Sequence, residues 1–340
     1  AATFSFDLDL WGRSRAALAA ATSEADAARV DAAQARLLLT TGIAAAYADL
    51  AGQYEALDVA KEALRVRNAS AELSADRARA GLDNQASASQ ADSRAASARA
   101  DIAALEESIA RTQNRIAALV GAGPDRGRTI VRPTLALPGV GLPADAGIAL
   151  IGRRPDIVAA RLRAEAAARR IDVARADFYP NISLSALVGF QSLGLGNLLD
   201  AGSKYGSGGA AISLPIFEGG RIEGRYRGAR ADYDAAVAQY DSTLVAALRE
   251  VADIVASRDA TERQLEERRA AHTAAATAAK LAGLRYRAGL DNQLAQLTAE
   301  DSMVVLSRSV SDLEARQRAL DIALIRALGG GYRAPAATGE

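Results

Sequence analysis

The sequence predicts a mainly α-helical protein made of long antiparallel helical hairpins, with a few β-strands at the helix ends. Three observations predict it. Half of the residues are hydrophobic but only 4% are aromatic. Much of the apolar share is Ala, the strongest helix former, which has almost no side-chain entropy to lose. The 8 prolines all fall between Pro124 and Pro215 or at Pro335. Proline costs about 3 kcal/mol inside a helix, so the two proline-free stretches on either side are where long helices can run. Finally, one large module occurs twice.

Three segments alternate with period two, the strand signal. From Thr3 to Leu10, Phe4, Phe6, Leu8 and Leu10 alternate with polar residues. From Asn181 to Phe190 the apolar set is Ile182, Leu184, Ala186, Val188 and Phe190. From Ala210 to Phe217 it is Ile212, Leu214 and Ile216. The Gly/Ser-rich stretch Ser192–Gly209 is expected to be the loop between the last two strands.

The duplication is clearest at two turns. Arg77, Arg79, Ala80, Gly81, Leu82, Asp83, Asn84 and Gln85 recur as Arg285, Arg287, Ala288, Gly289, Leu290, Asp291, Asn292 and Gln293. At the same offset Arg13 recurs as Arg221, and Leu105-Glu106 as Leu313-Glu314. The period is far too long for a solenoid. The unit is strand, long helix, tight turn, returning helix. Residues 1–123 form the first repeat, 124–147 a Pro/Gly-rich equatorial segment, 148–334 the second repeat and 335–340 a tail. Helices over 12–79 and 218–287 would each run about 100 Å. Shorter ones over 83–120 and 148–177 would run about 57 and 45 Å, together about one long helix. Gly81 and Gly289 suit a left-handed helix end, and Asp83 and Asp291 are placed to cap the returning helices.

Composition excludes several function classes. Lys plus Arg and Asp plus Glu number 41 each, unlike a basic nucleic-acid binder. With 0 Cys and 1 His, thiolate metal sites, disulfides and two-histidine motifs are impossible. No nucleophile elbow accompanies His272, so a hydrolase is not supported. The Arg/Glu run Glu262–Arg269 reads as a solvated helix face. Trp11, where strand meets helix, suits a membrane-interface aromatic or ordinary packing.

Strands apolar on one face and polar on the other suit a membrane barrel with a wet lumen, and also a half-buried sheet in a soluble protein. Helices too long for a compact domain favour the barrel. A closed membrane barrel needs about eight strands or more, because open edges cannot be left in lipid. The duplication implies a fourth strand before Thr3. A three-fold ring of such chains would then close with about twelve strands. The competing class is a soluble Ala-rich coiled-coil scaffold, which would carry no alternating strands.

Five segments carry a resemblance: Phe6-Asp-Leu-Asp-Leu-Trp-Gly-Arg13, Arg153-Arg-Pro-Asp-Ile157, Ala174-Arg-Ala-Asp-Phe-Tyr-Pro180, Leu214-Pro-Ile-Phe-Glu-Gly-Gly-Arg221 and the paired turns. In this order they resemble the TolC/OprM outer-membrane efflux family, most closely its NodT-type lipoprotein branch. The resemblance implies a trimeric, non-enzymatic channel in the Gram-negative outer membrane, with an α-barrel in the periplasm and no cofactor. It implies as partners the membrane lipids, a periplasmic adaptor and an inner-membrane pump of the RND type, and no nucleic acid. A type I secretion exit duct is the alternative within the family. Relatives begin earlier, with a signal peptide, often a lipidated Cys, a first helix and a first strand, so an upstream portion is expected.

By the same resemblance the tips Arg79, Gly81–Gln85, Arg287 and Gly289–Gln293 meet the adaptor, against the simpler reading of local turn chemistry. Related channels close just after the second tip with a Leu, an Asp one turn on and an Arg three residues later. Here that pattern falls on Leu294, Thr298 and Asp301, so only the Leu is kept. A Leu294 ring is the expected constriction, and Asp301, beside Glu300, is expected to supply negative charge.

Overall fold

A computed structural model describes residues 1–134, 153–191 and 201–333. The element order is β1 (Ala2–Asp7), α1 (Arg13–Arg79), α2 (Gln85–Leu119), α3 (Pro124–Gly127), α4 (Pro155–Ala176), β2 (Asn181–Phe190), β3 (Lys204–Ser213), α5 (Arg221–Arg287) and α6 (Gln293–Ala327). The duplication is visible in the lengths: α1 and α5 have 67 residues each, α2 and α6 have 35 each. It is visible in the backbone too. Left-handed glycines recur at the same places in both repeats, as Gly12 and Gly220, Gly81 and Gly289, Gly121 and Gly329. No helix among the described residues is long and apolar enough to cross a membrane, which says nothing of a β-barrel.

The chain groups into two compact units, each drawing on both repeats. The first is Ala1–Gln34, Ala149–Ala246 and Tyr332–Glu340. It holds an antiparallel sheet in the order β1-β2-β3. Phe4 faces Ala186, Phe6 faces Leu184 and Ile182 faces Ile212, so these residues form one apolar face. Ser5–Ser185–Gly209 and Asp7–Ser183–Ala211 form the other. Phe4, Phe6, Val188 and Ile212 are all exposed in the single chain. The helical part packs Val30 on Val158 and Ala159, with Arg163 paired to Asp31 and Arg170 to Glu24.

The third strand departs from expectation. It runs Lys204–Ser213, not Ala210–Phe217. Residues 204–209 have no apolar alternation, yet their backbone pairs with β2 from Phe190↔Lys204 to Ser185↔Gly209. A ladder needs only backbone groups, so small residues serve. Pro215 lacks an N–H and cannot extend it, and Phe217 beyond it is 93% exposed. Of the rest of the expected loop, Ala201–Ser203 form a single 3-10 turn, and residues 192–200 lie outside the described residues. So do residues 148–152, where α4 was expected to begin, and the tail.

The second unit is Ala35–Ile148 and Ala247–Gly331. Here α1 lies against both returning helices. On α2 it buries Ala46, Leu50 and Leu57 with Ile109 and Ile116. Each fully buried Leu there contributes about 2 kcal/mol. Nearer the first tip, Ala71 meets Ala91 and Ala95. Alanines at 88, 91, 95 and 98 are buried at helical spacing, and so small a seam lets two helices approach closely. Against α6, Ala63 and Val66 pack on Leu297 and Val304. The described part of the equatorial segment is fastened to α1 and α2. Gln113 Nε2 donates to the Ile130 carbonyl at 3.1 Å, and Arg132 pairs with Asp58 at 2.6 Å while lying over Tyr54.

The end of α6 is a tight approach. Gly330 has φ of 59°, and a Cβ there would lie 2.2 Å from Leu37 Cδ1. Gly330→Ala is expected to cost about 1–2 kcal/mol, chiefly from left-handed strain, because Leu37 Cδ1 is the movable end of a half-exposed side chain. Thermal unfolding of the purified protein checks this; a melting temperature equal to wild type would refute it.

Candidate functional site at the hairpin tips

Both tips are built in the same way. Each long helix ends with Gly in the left-handed region, φ 71° at Gly81 and 72° at Gly289. Gly81 N–H donates to the Ala78 carbonyl and Leu82 N–H to the Arg77 carbonyl; Gly289 and Leu290 do the same to Tyr286 and Arg285. This paired pattern satisfies carbonyls that the helix end leaves open.

The cap is one residue later than the sequence suggested. Asn84 Oδ1 accepts from Ser87 N–H at 2.8 Å, and Asn292 Oδ1 from Ala295 N–H at 2.9 Å. Asp and Asn are both good caps and stand side by side, so composition did not separate them. Asp83 and Asp291 instead accept from the N–H of Asn84 and Asn292. They also hold the repeated arginines, Arg77 at 3.6 Å and Arg285 at 3.3 Å. The Asn84 amide, more than the Arg77 charge, keeps the Asp83 carboxyl below its ordinary pKa.

Turn geometry thus engages Gly, Asp, Asn and the first Arg of each tip. Arg79 pairs with Asp76 of its own helix, and Arg287 Nε donates to the Gly283 carbonyl. Leu82 and Leu290 are 70% and 72% exposed, and Gln85 is exposed beside the first. Beyond the backbone bonds of the turn, these two leucines at homologous tips present their side chains to solvent.

Beyond the second tip, Leu297 turns inward while Leu294 is 40% exposed. Leu294, Thr298, Ser302 and Val305 form the exposed stripe of α6. The Thr298 hydroxyl donates to the Leu294 carbonyl at 2.8 Å. Asp301 is drawn off that stripe by Arg67, whose Nε donates to it at 3.0 Å. Glu300 pairs with Arg65 at 3.3 Å and accepts from Gln296. The negative charge expected at this level is therefore matched within the chain. Arg65 and Arg67 lie on α1, far away in sequence, and no local motif marked them.

The family model of the outer membrane efflux protein matches residues 1–122 and 149–330. The chain belongs to that family.

The chain is 41% identical over 234 residues to the fusaric acid resistance protein FusA of Burkholderia cepacia, covering 67% of this chain and 43% of that one. It is 33% identical over 336 residues to the outer membrane protein OprJ of Pseudomonas aeruginosa, covering 96% and 68%. The crystal structure of the outer membrane protein VceC from Vibrio cholerae superposes with a TM-score of 0.87 at 45% identity, covering 97% of this chain and 79% of that one. Its place is the outer membrane of Gram-negative bacteria, and its fold is that of the family's channels, mainly helical with a β portion.

The chain's other family segments meet where sheet and helices join. Asp177, with a side chain 13% exposed, lies 3.3 Å from Arg13 and 3.5 Å from Arg225, so one carboxylate joins both long helices. Trp11 stacks on Tyr179, centroids 4.5 Å apart, and its Nε1 donates to the Pro180 carbonyl at 2.8 Å. Asp9 caps α1 by accepting from Ser14 and Arg15 N–H. The sequence marked Trp11 but not these partners.

Proposed function

We propose that the chain is one protomer of a homotrimeric channel, the outer-membrane conduit of a tripartite efflux pump. The observation that carries this is the sheet. It has one apolar and one polar face, and β1 and β3 are its edge strands. Three copies, each with a further strand, would close those edges in lipid. The exposed tip leucines support docking of a periplasmic adaptor, which would link the channel to an RND-type inner-membrane pump. The conduit is passive and performs no chemistry. Leu294 forms the apolar constriction of the periplasmic end, with Thr298 beside it and Asp301 held back by Arg67.

The test is single-channel recording of the full-length protein in planar bilayers. Leu294→Ala is expected to raise conductance above wild type. Unchanged conductance removes Leu294 from the constriction, and failure of the wild type to form channels removes the conduit.

A further inference from the structure

We infer that the groove between the first turns of α1 and the last turns of α4 binds the phosphate headgroup of an anionic phospholipid. The groove is an open depression of about 540 Å³. One wall carries Arg15, the other Arg169 and Arg175 with Asp172, and the stacked rings of Trp11 and Tyr179 line its end.

Charge and geometry both favour an anion. Arg169 and Arg175 share one carboxylate, Asp172, and each stands 3.8 Å from it. That distance is too long for a hydrogen bond, so both guanidiniums keep their donor forks open. Arg15 contacts Asp9 through Nε and Nη2, which leaves its other amino group available. Planar guanidiniums bind phosphate oxygens in pairs. Basic pockets between helices at a membrane boundary suit anionic headgroups.

The location selects the lipid over a soluble ion. Trp11 follows β1 by only four residues, and Tyr179 precedes β2 by two. Paired amphipathic rings at strand ends form the girdles that face lipid on the outside of barrels. A groove lined by both rings therefore opens at headgroup level. The site rests on the membrane-channel reading.

The test uses the full-length trimer in lipid nanodiscs of phosphatidylcholine doped with phosphatidylglycerol. Phosphatidylglycerol retained after detergent exchange is measured by mass spectrometry. The double variant Arg169→Gln, Arg175→Gln is expected to retain several-fold less than wild type. A control pair on α2, Arg111→Gln and Arg115→Gln, is expected to retain the wild-type amount. Equal retention by the groove variant, or equal loss in the control, overturns the site. Displacement of the lipid by millimolar inorganic phosphate would assign the groove to free phosphate and overturn the lipid. Conductance recorded on the same samples separates failure of the channel reading from failure of this one.

Discussion

On the proposed docking at the tips, the double variant Leu82→Asp, Leu290→Asp is expected to abolish efflux-dependent resistance in a strain that relies on this protein, without loss of folded protein. Both side chains are exposed, and the turns are held by glycine conformation, backbone bonds and asparagine caps. Aspartate at these positions therefore leaves the fold alone. What it removes is an apolar anchor from each tip, and it adds a charge that an apolar partner surface would have to desolvate. A central anchor is worth about 2 kcal/mol or more, roughly thirtyfold in Kd. Adaptor capture by the purified channel should fall accordingly, with either single variant intermediate. Full resistance in the double variant would show that the tips are not where the partner docks.

Asp177→Ala is expected to give the largest loss of stability at the junction of sheet and helices. The carboxylate is nearly buried and answers two arginines, one from each repeat. Breaking a buried pair costs about 3–5 kcal/mol. Both arginines are more than half exposed, and solvent screens them, so about 1–2 kcal/mol is the appropriate scale. The thermal midpoint of the purified protein in detergent should drop. It should recover in part when Arg13→Ala is added, because the second change removes a charge left without its partner. A midpoint unmoved by Asp177→Ala would show that the pairs contribute nothing.

Both variants act at places the sequence read unequally. The tip leucines were visible as repeats, but so were Gly81, Asp83 and Asn84 beside them. Repetition alone could not separate residues that make the turn from residues left over. That separation needed hydrogen-bond partners, and it moved the cap from Asp83 to Asn84. Asp177 lay inside a recognised segment, yet nothing local paired it with Arg13 and Arg225, because both contacts cross large sequence distances. The same is true of Arg67 and Asp301, where a contact between helices matches a charge that the sequence left bare.

By itself the sequence determined the helices, the two reversals, the duplication and two of the three strands. These follow from local physics: proline exclusion, alanine propensity, glycine at left-handed positions and period-two alternation. Only the tertiary structure decided where β3 runs, since its first half is held by the backbone ladder to β2 and shows no side-chain pattern. It also decided which charges are matched and which leucines stay exposed. Those depend on which helices lie side by side, a property of packing between segments far apart in the chain.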